Sequence, residues 1–154
     1  MNAKEIISFQ LEAVHNKSGW FVSLAQALKG VTQEEAMWKN HPNANNIRGI
    51  VNHLLYYNQG YLNRFKGIGG TSSTIDTNAQ SFDNLEGYTW EESLRSIDQV
   101  MQEWKRVIDN SADNHFNKNM AALTHLIIHT AYHIGQIVDI RKQQGTWKSE
   151  LGVD

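Results

Sequence analysis

No cysteine occurs in these 154 residues, which excludes a disulfide framework, a thiolate-ligated metal and a cysteine nucleophile together. Any metal the chain holds must be bound through nitrogen or oxygen. Proline occurs once, at Pro42, so long helices can run without an imposed kink. There is no excess of positive charge: Lys and Arg number 14 against 16 Asp and Glu, and they are scattered along the chain. The electrostatic footprint of phosphate binding is therefore missing, and nucleic acid is not expected as a partner. No apolar run approaches the roughly 20 residues of a membrane span, and no membrane association is expected. Met1–Lys29 carries no basic start followed by a small-residue cleavage site, so the expectation is a cytoplasmic protein. Alternation with period two is absent over any useful length, which leaves strands out of the reading.

What the sequence does have is helical periodicity, enough for one domain over residues 1–154. Apolar positions from Ala3 to Leu28 predict a first helix, stopped by Gly30. Thr32 and Glu35 have capping-box form and predict a short turn through Trp38. A second long helix runs from Ile47 to about Phe65, capped by Asn45 or Asn46. Gly67–Thr89 is polar and glycine-rich but lacks the Gly-Lys-Ser/Thr ending of a phosphate loop. Its length of about 20 residues suits a crossover along a bundle, which makes helices two and three parallel. Thr89 with Glu92 opens helix three, which continues to Ile108. A short connection over Asn110–Asn117 then demands an antiparallel fourth helix around Leu123–Arg141. The fold expected is all-α, a four-helix bundle with a long crossover between helices two and three, and Trp147 pinning the tail to it.

Helix four reads LTHLIIHTAYHIGQIVDIR, with His125, His129 and His133 at four-residue steps. At about 100° per residue, each step advances only about 40° around the axis, so His129 and His133 project from one side a turn apart. Leu126, Ile127, Thr130, Ile134, Ile137 and Val138 form an adjacent apolar arc, placing the pair where a core meets a cleft. His53 of helix two can join them as a three-histidine site. Three neutral imidazoles with an open position suit a divalent metal, zinc or nickel. Spacing alone does not decide the matter, because His-x-x-x-His also arises by chance in helices. Thr130 stands where a metalloprotease would place its glutamate, which disfavours protease activity. Glu12 and His15 form one Glu-x-x-His unit, but a di-iron bundle needs two, so these read as surface helix residues. His125, Asn52, Gln136, Tyr57 and Tyr132 are candidates for orienting the ligands or lining a pocket.

The segment NIRGIVNHLL, Asn46–Leu55, and the HTAYHIGQI of helix four resemble the two signature helices of the DinB/YfiT-like superfamily. That resemblance implies a metal triad of His53, His129 and His133, with Gly135 and Gln136 matching the Gly-Gln that follows it. It also implies an up-down-down-up bundle and a homodimer. Members of this kind include enzymes that transfer bacillithiol or mycothiol to small electrophiles and others described as metal-dependent hydrolases. Three functions are accordingly expected: transfer of a low-molecular-weight thiol to a small electrophile, metal-assisted hydrolysis of a small amide or ester, and a non-catalytic metal-binding or structural dimeric bundle. Hydrolysis needs a proton acceptor, for which the sequence offers Glu12, Asp139 or His125.

Overall fold

The computed structural model describes residues 1–71 and 73–153. Ser72, inside the expected crossover, and Asp154 at the tail lie outside the described residues. Among those described there are six α-helices, two short 3-10 turns and no strand. In chain order the helices are α1 Ala3–His15, α2 Leu24–Leu28, α3 Gln33–Met37, α4 Ile47–Phe65, α5 Trp90–Asp109 and α6 Asp113–Gln143. The four long ones, α1, α4, α5 and α6, form the bundle.

Residues that meet across the helix pairs give the directions. Ser8 reaches Asp109, and His15 reaches Asp98, so α1 and α5 are antiparallel. Lys4 pairs with Asp113 at 2.7 Å and lies over Phe116, so α1 and α6 start at the same end and run parallel. Arg48 donates to the Tyr88 carbonyl just ahead of α5, and Lys66 pairs with Glu103, which makes α4 and α5 parallel. His53 meets His133 while Phe65 packs on His115, so α4 and α6 are antiparallel. The order is up-down-down-up, as the length of the crossover predicted. Ile50, Leu54, Trp90, Trp104, Phe116 and Ile137 are among the side chains sealed between the four helices.

Local chemistry sets most of the boundaries. Asn46 caps α4 through the Gly49 N–H at 2.7 Å, and Thr89 with Glu92 closes a reciprocal capping box on α5. Thr32 and Glu35 do the same on α3. The expected first helix from Ala3 to Leu28 is a correction, because the chain breaks after His15. Asn16, Ser18 and Gly19 are poor helix residues, and here Ser18 accepts from the Ser23 N–H while Ser23 caps α2. The connection expected over Asn110–Asn117 is also too long. Helix α6 begins at Asp113, whose carboxylate suits a helix N-terminus, and Phe116 is already buried. At the other end Arg141 lies 5.3 Å from the ring of Trp147, so the tail is held against the bundle as expected.

The crossover lies close along α4. A Cβ on Gly60 would come within 2.8 Å of Thr71 Cγ2, and one on Gly49 would meet Asn46 Oδ1 at 3.1 Å with the Phe82 carbonyl at 3.5 Å. Both glycines let the crossover approach the helix backbone. Between them the crossover makes a 3-10 turn, Asn78–Phe82, which sits beside His53. No helix among the described residues is long and apolar enough to cross a membrane.

Candidate metal centre

His53 faces α6 from the middle of α4, buried among Tyr57, Phe82, His129 and His133. The imidazole of His53 stacks on Phe82 with ring centres 4.2 Å apart. His129 and His133 come from successive turns of α6, the first half-buried and the second buried. Their ligating atoms and that of His53 lie within 4.8 Å of one another. His53 Nε2 stands 2.9 Å from His129 Nε2, and His133 Nε2 stands 3.0 Å from the same atom.

The hydrogen bonds behind the rings decide what those three nitrogens are. Ser81 has one hydroxyl proton and donates it to the Asn78 carbonyl at 2.6 Å. Towards His53 it must therefore accept, so Nδ1 of His53 carries a proton at a contact of 2.6 Å. Gln136 presents its amide oxygen to His133 Nδ1 at 2.7 Å and donates from its nitrogen to the Tyr132 hydroxyl at 3.2 Å. His133 is thus also protonated on Nδ1. Both Nε2 atoms are left as lone pairs aimed at His129 Nε2, and a single N–H there could satisfy only one of them. A cation between the three satisfies all. Nitrogens about 2.1 Å from one ion stand about 3.0 Å apart at a right angle and about 3.4 Å apart at the tetrahedral angle, so the observed separations fit a shared ion.

Protonation favours the same arrangement. Burial first, then the neighbouring His133 and His129, together pull His53 down from 6.5 to about 3. Burial and then His133 lower His129, while burial lowers His133 against the opposing Gln136 hydrogen bond. All three are neutral imidazoles near pH 7, the form a metal requires.

The triad forms the floor of an open cleft of about 950 Å³ between α4, α6 and the 3-10 turn. Its walls include Tyr57, Tyr61, Phe82, Leu126, Ile128 and Tyr132, and among the described residues its lining contains no carboxylate. His125 is exposed and lines the same cleft. Tyr57 puts its ring edge towards His53 and donates its hydroxyl to Asn78 at 2.8 Å. Burial raises its pKa, with Tyr56 and Tyr61 adding to the effect, so the phenol stays protonated at neutral pH. Tyr132 is 63% exposed on the rim, its ring 5.1 Å from that of His133.

Some candidates fall elsewhere. Asn52 does not reach a histidine; it donates to the Phe82 carbonyl at 3.1 Å and holds the 3-10 turn instead. Glu12, on α1, pairs with Lys17 and Lys105, and Asp139 accepts from Gln143, so neither carboxylate serves the cleft. Of the three acceptors named for hydrolysis, only His125 lines it. Sequence reasoning missed Ser81, Asn78 and Phe82, which the crossover delivers. The form Thr77-x-x-Gln80 was the available signal for a turn there, and Gln80 does accept from the Asp76 and Thr77 N–H groups.

A family model described as the DinB superfamily matches residues 22–137, about three quarters of the chain. The chain belongs to the DinB superfamily. The matched span includes α4, the crossover, α5 and the histidine-bearing turns of α6, so all three histidines of the DinB chain lie inside it. No curated protein and no solved structure matches the chain.

Proposed function

We propose that this DinB-superfamily protein is a metal-dependent enzyme that transfers a low-molecular-weight thiol to a small electrophile. The observation that carries this reading is the convergence of three Nε2 atoms in a cleft whose lining, among the described residues, holds no carboxylate. A divalent ion held there, zinc or nickel by the preference of imidazole, supplies charge that lowers the pKa of a thiol or a water.

The chain's own residues do the rest. His53, His129 and His133 hold the ion, and Ser81 and Gln136 keep two of those rings in the ligating tautomer. Phe82, Ile128, Tyr61 and Tyr132 offer an apolar wall for the electrophile. The Tyr57 hydroxyl, protonated and held by Asn78, marks the polar side of the cleft. In the reaction a sulfur–carbon bond forms as the bond to the leaving group breaks, and the thiol proton passes to solvent. No protein base is needed for that step once the thiol is ionised. A cytoplasmic location, where small thiols are kept reduced, goes with this reading.

The second reading, hydrolysis of a small amide or ester, rests on His125, the one other histidine lining the cleft. The two readings separate in a single set of assays. Metal-loaded protein is given bacillithiol, mycothiol or glutathione with 1-chloro-2,4-dinitrobenzene, and separately a panel of esters and amides. Thiol transfer that needs His133 and survives His125→Ala supports the first reading. Ester or amide turnover abolished by His125→Ala, with no conjugation of any thiol, replaces it with the second.

A further inference from the structure

The metal cleft continues past its tyrosine wall. Tyr61, Ala122 and Leu126 line it and also line a smaller cavity of about 130 Å³, whose polar side chains are Arg64, Trp104 and Asn119. Because α4 and α6 are antiparallel, the two hollows follow one another along the groove between these helices. The triad lies toward one end and Arg64 toward the other. Tyr61 stands eight residues after His53 on α4, and Ala122 seven before His129 on α6. The small cavity is therefore about 10–12 Å from the triad.

Two donors there have no acceptor. Trp104 is 1% exposed, and its Nε1 makes no hydrogen bond among the described residues. Trp90, sealed in the same core, donates to the Val31 carbonyl at 2.8 Å. A buried N–H left unmet costs about 1–3 kcal/mol, so an orphan of this kind marks a place where an acceptor belongs. Arg64 is exposed, its guanidinium 5.1 Å from the centre of the Tyr61 ring, and it has no ion-pair partner among the described residues. Its neighbours in space differ: Lys66 and Arg106 both pair with Glu103. Asn119 has its amide nitrogen committed to the His115 carbonyl. Neither hollow is lined by an Asp or Glu among the described residues. The groove thus offers positive charge and N–H donors at its far end, and nothing in its own lining answers them.

We propose that this small cavity recognises a carboxylate of the substrate, bound by the Arg64 guanidinium and the Trp104 indole N–H. A singly charged planar anion matches one guanidinium and one further donor, whereas a phosphate dianion would call for a second cation. The body of the molecule then lies along Tyr61 and Leu126 and brings its sulfur to the triad. After the contacts at each end are allowed for, the acid group stands about 6 Å or more from the sulfur. The substrate is an elongated, carboxylate-bearing thiol, and 3-mercaptopropionate is too short to span the groove. The thiol end rests on the transfer reading above, while the acid pocket rests on its own unmet donors.

Two measurements keep those parts separate. In NMR titrations of the isotope-labelled full chain as purified, hexanoate should move the Trp104 indole N–H signal, assigned by its loss in Trp104→Phe, and hexan-1-ol should not. Arg64→Gln should weaken hexanoate binding about tenfold, with Arg64→Lys recovering part of it. With zinc-loaded protein and 1-chloro-2,4-dinitrobenzene, 6-mercaptohexanoate should show a KM about tenfold below that of 6-mercaptohexan-1-ol. Arg64→Gln should erase that difference with kcat unchanged, and should leave 3-mercaptopropionate unaffected. A Trp104 signal indifferent to hexanoate, or hexanoate binding unchanged in Arg64→Gln, would overturn the acid pocket whatever the reaction proves to be. A Trp104 signal that moves as expected, with no conjugation of any thiol, would uphold the pocket and sink the transfer reading instead.

Discussion

His15 on α1 and His53 on α4 are both buried, 7% and 3% exposed, and each sits on a long helix facing another helix of the bundle. Their partners differ. His15 Nε2 lies 2.6 Å from the Asp98 carboxylate of α5, an anionic partner that satisfies it within the chain. His53 has no carboxylate; its Nδ1 is held by Ser81, and its Nε2 and that of His133 both point at His129 Nε2, where one proton cannot satisfy both. A histidine that meets a carboxylate is finished as a structural contact, whereas one that meets histidines is left with a lone pair to offer. The bundle uses the first kind to tie α1 to α5 and keeps the second kind for the cleft.

The largest effects that would break this contrast are on metal affinity. In His53→Ala the affinity for zinc should fall by more than about a hundredfold, read by competition with a chromophoric chelator, while His15→Ala should leave it unchanged. Equal losses in both would mean that the two environments are not distinct. Ser81→Ala should lower zinc affinity about tenfold to a hundredfold, since it frees the His53 ring and its tautomer without removing a ligand. An unchanged affinity would remove Ser81 from the account.

Stability sharpens the same contrast at smaller amplitude. Losing the contact between His15 and the half-exposed Asp98 should destabilise the metal-free protein by about 1 kcal/mol in urea unfolding. Acidification should act mainly through the other group. An unfolded histidine takes up its proton near 6.5, but folded His53 does so only near about 3, and His129 and His133 are shifted the same way. Between those values the unfolded chain binds more protons, so metal-free protein should lose stability as pH falls from about 6.5 toward about 3. In His53→Ala that slope should be shallower. The smallest effect is expected at Gly60→Ala, where the added carbon crowds Thr71 and should cost about 1 kcal/mol.

The helices were largely legible in the sequence because their signals are local. Capping residues at Thr32, Asn46 and Thr89 stand next to the elements they start, and apolar periodicity follows at once. The break after His15 was hidden because Phe21, Val22, Leu24 and Leu28 continue the helical spacing through a segment whose Asn, Ser and Gly side chains prefer turns. The early start of α6 was hidden by the polar run from Asn110 to Asn117, in which Phe116 alone faces the core. In the cleft, the three histidines could be found because two share one helix face and the third lies on a recognisable helix. Ser81 could not, since its role arises only when the crossover folds back over α4, 28 residues along the chain from His53. Gln136, by contrast, reaches His133 from three residues away, a distance that helical geometry already provides.

The most direct test is the metal content of the protein by mass spectrometry, prepared without chelators and without a histidine tag, with His129→Ala and His15→Ala beside the wild type. Near-stoichiometric zinc or nickel in the wild type and in His15→Ala, with little in His129→Ala, is the predicted result. No metal in any of the three after incubation with excess ion, or equal metal in all three, would contradict it.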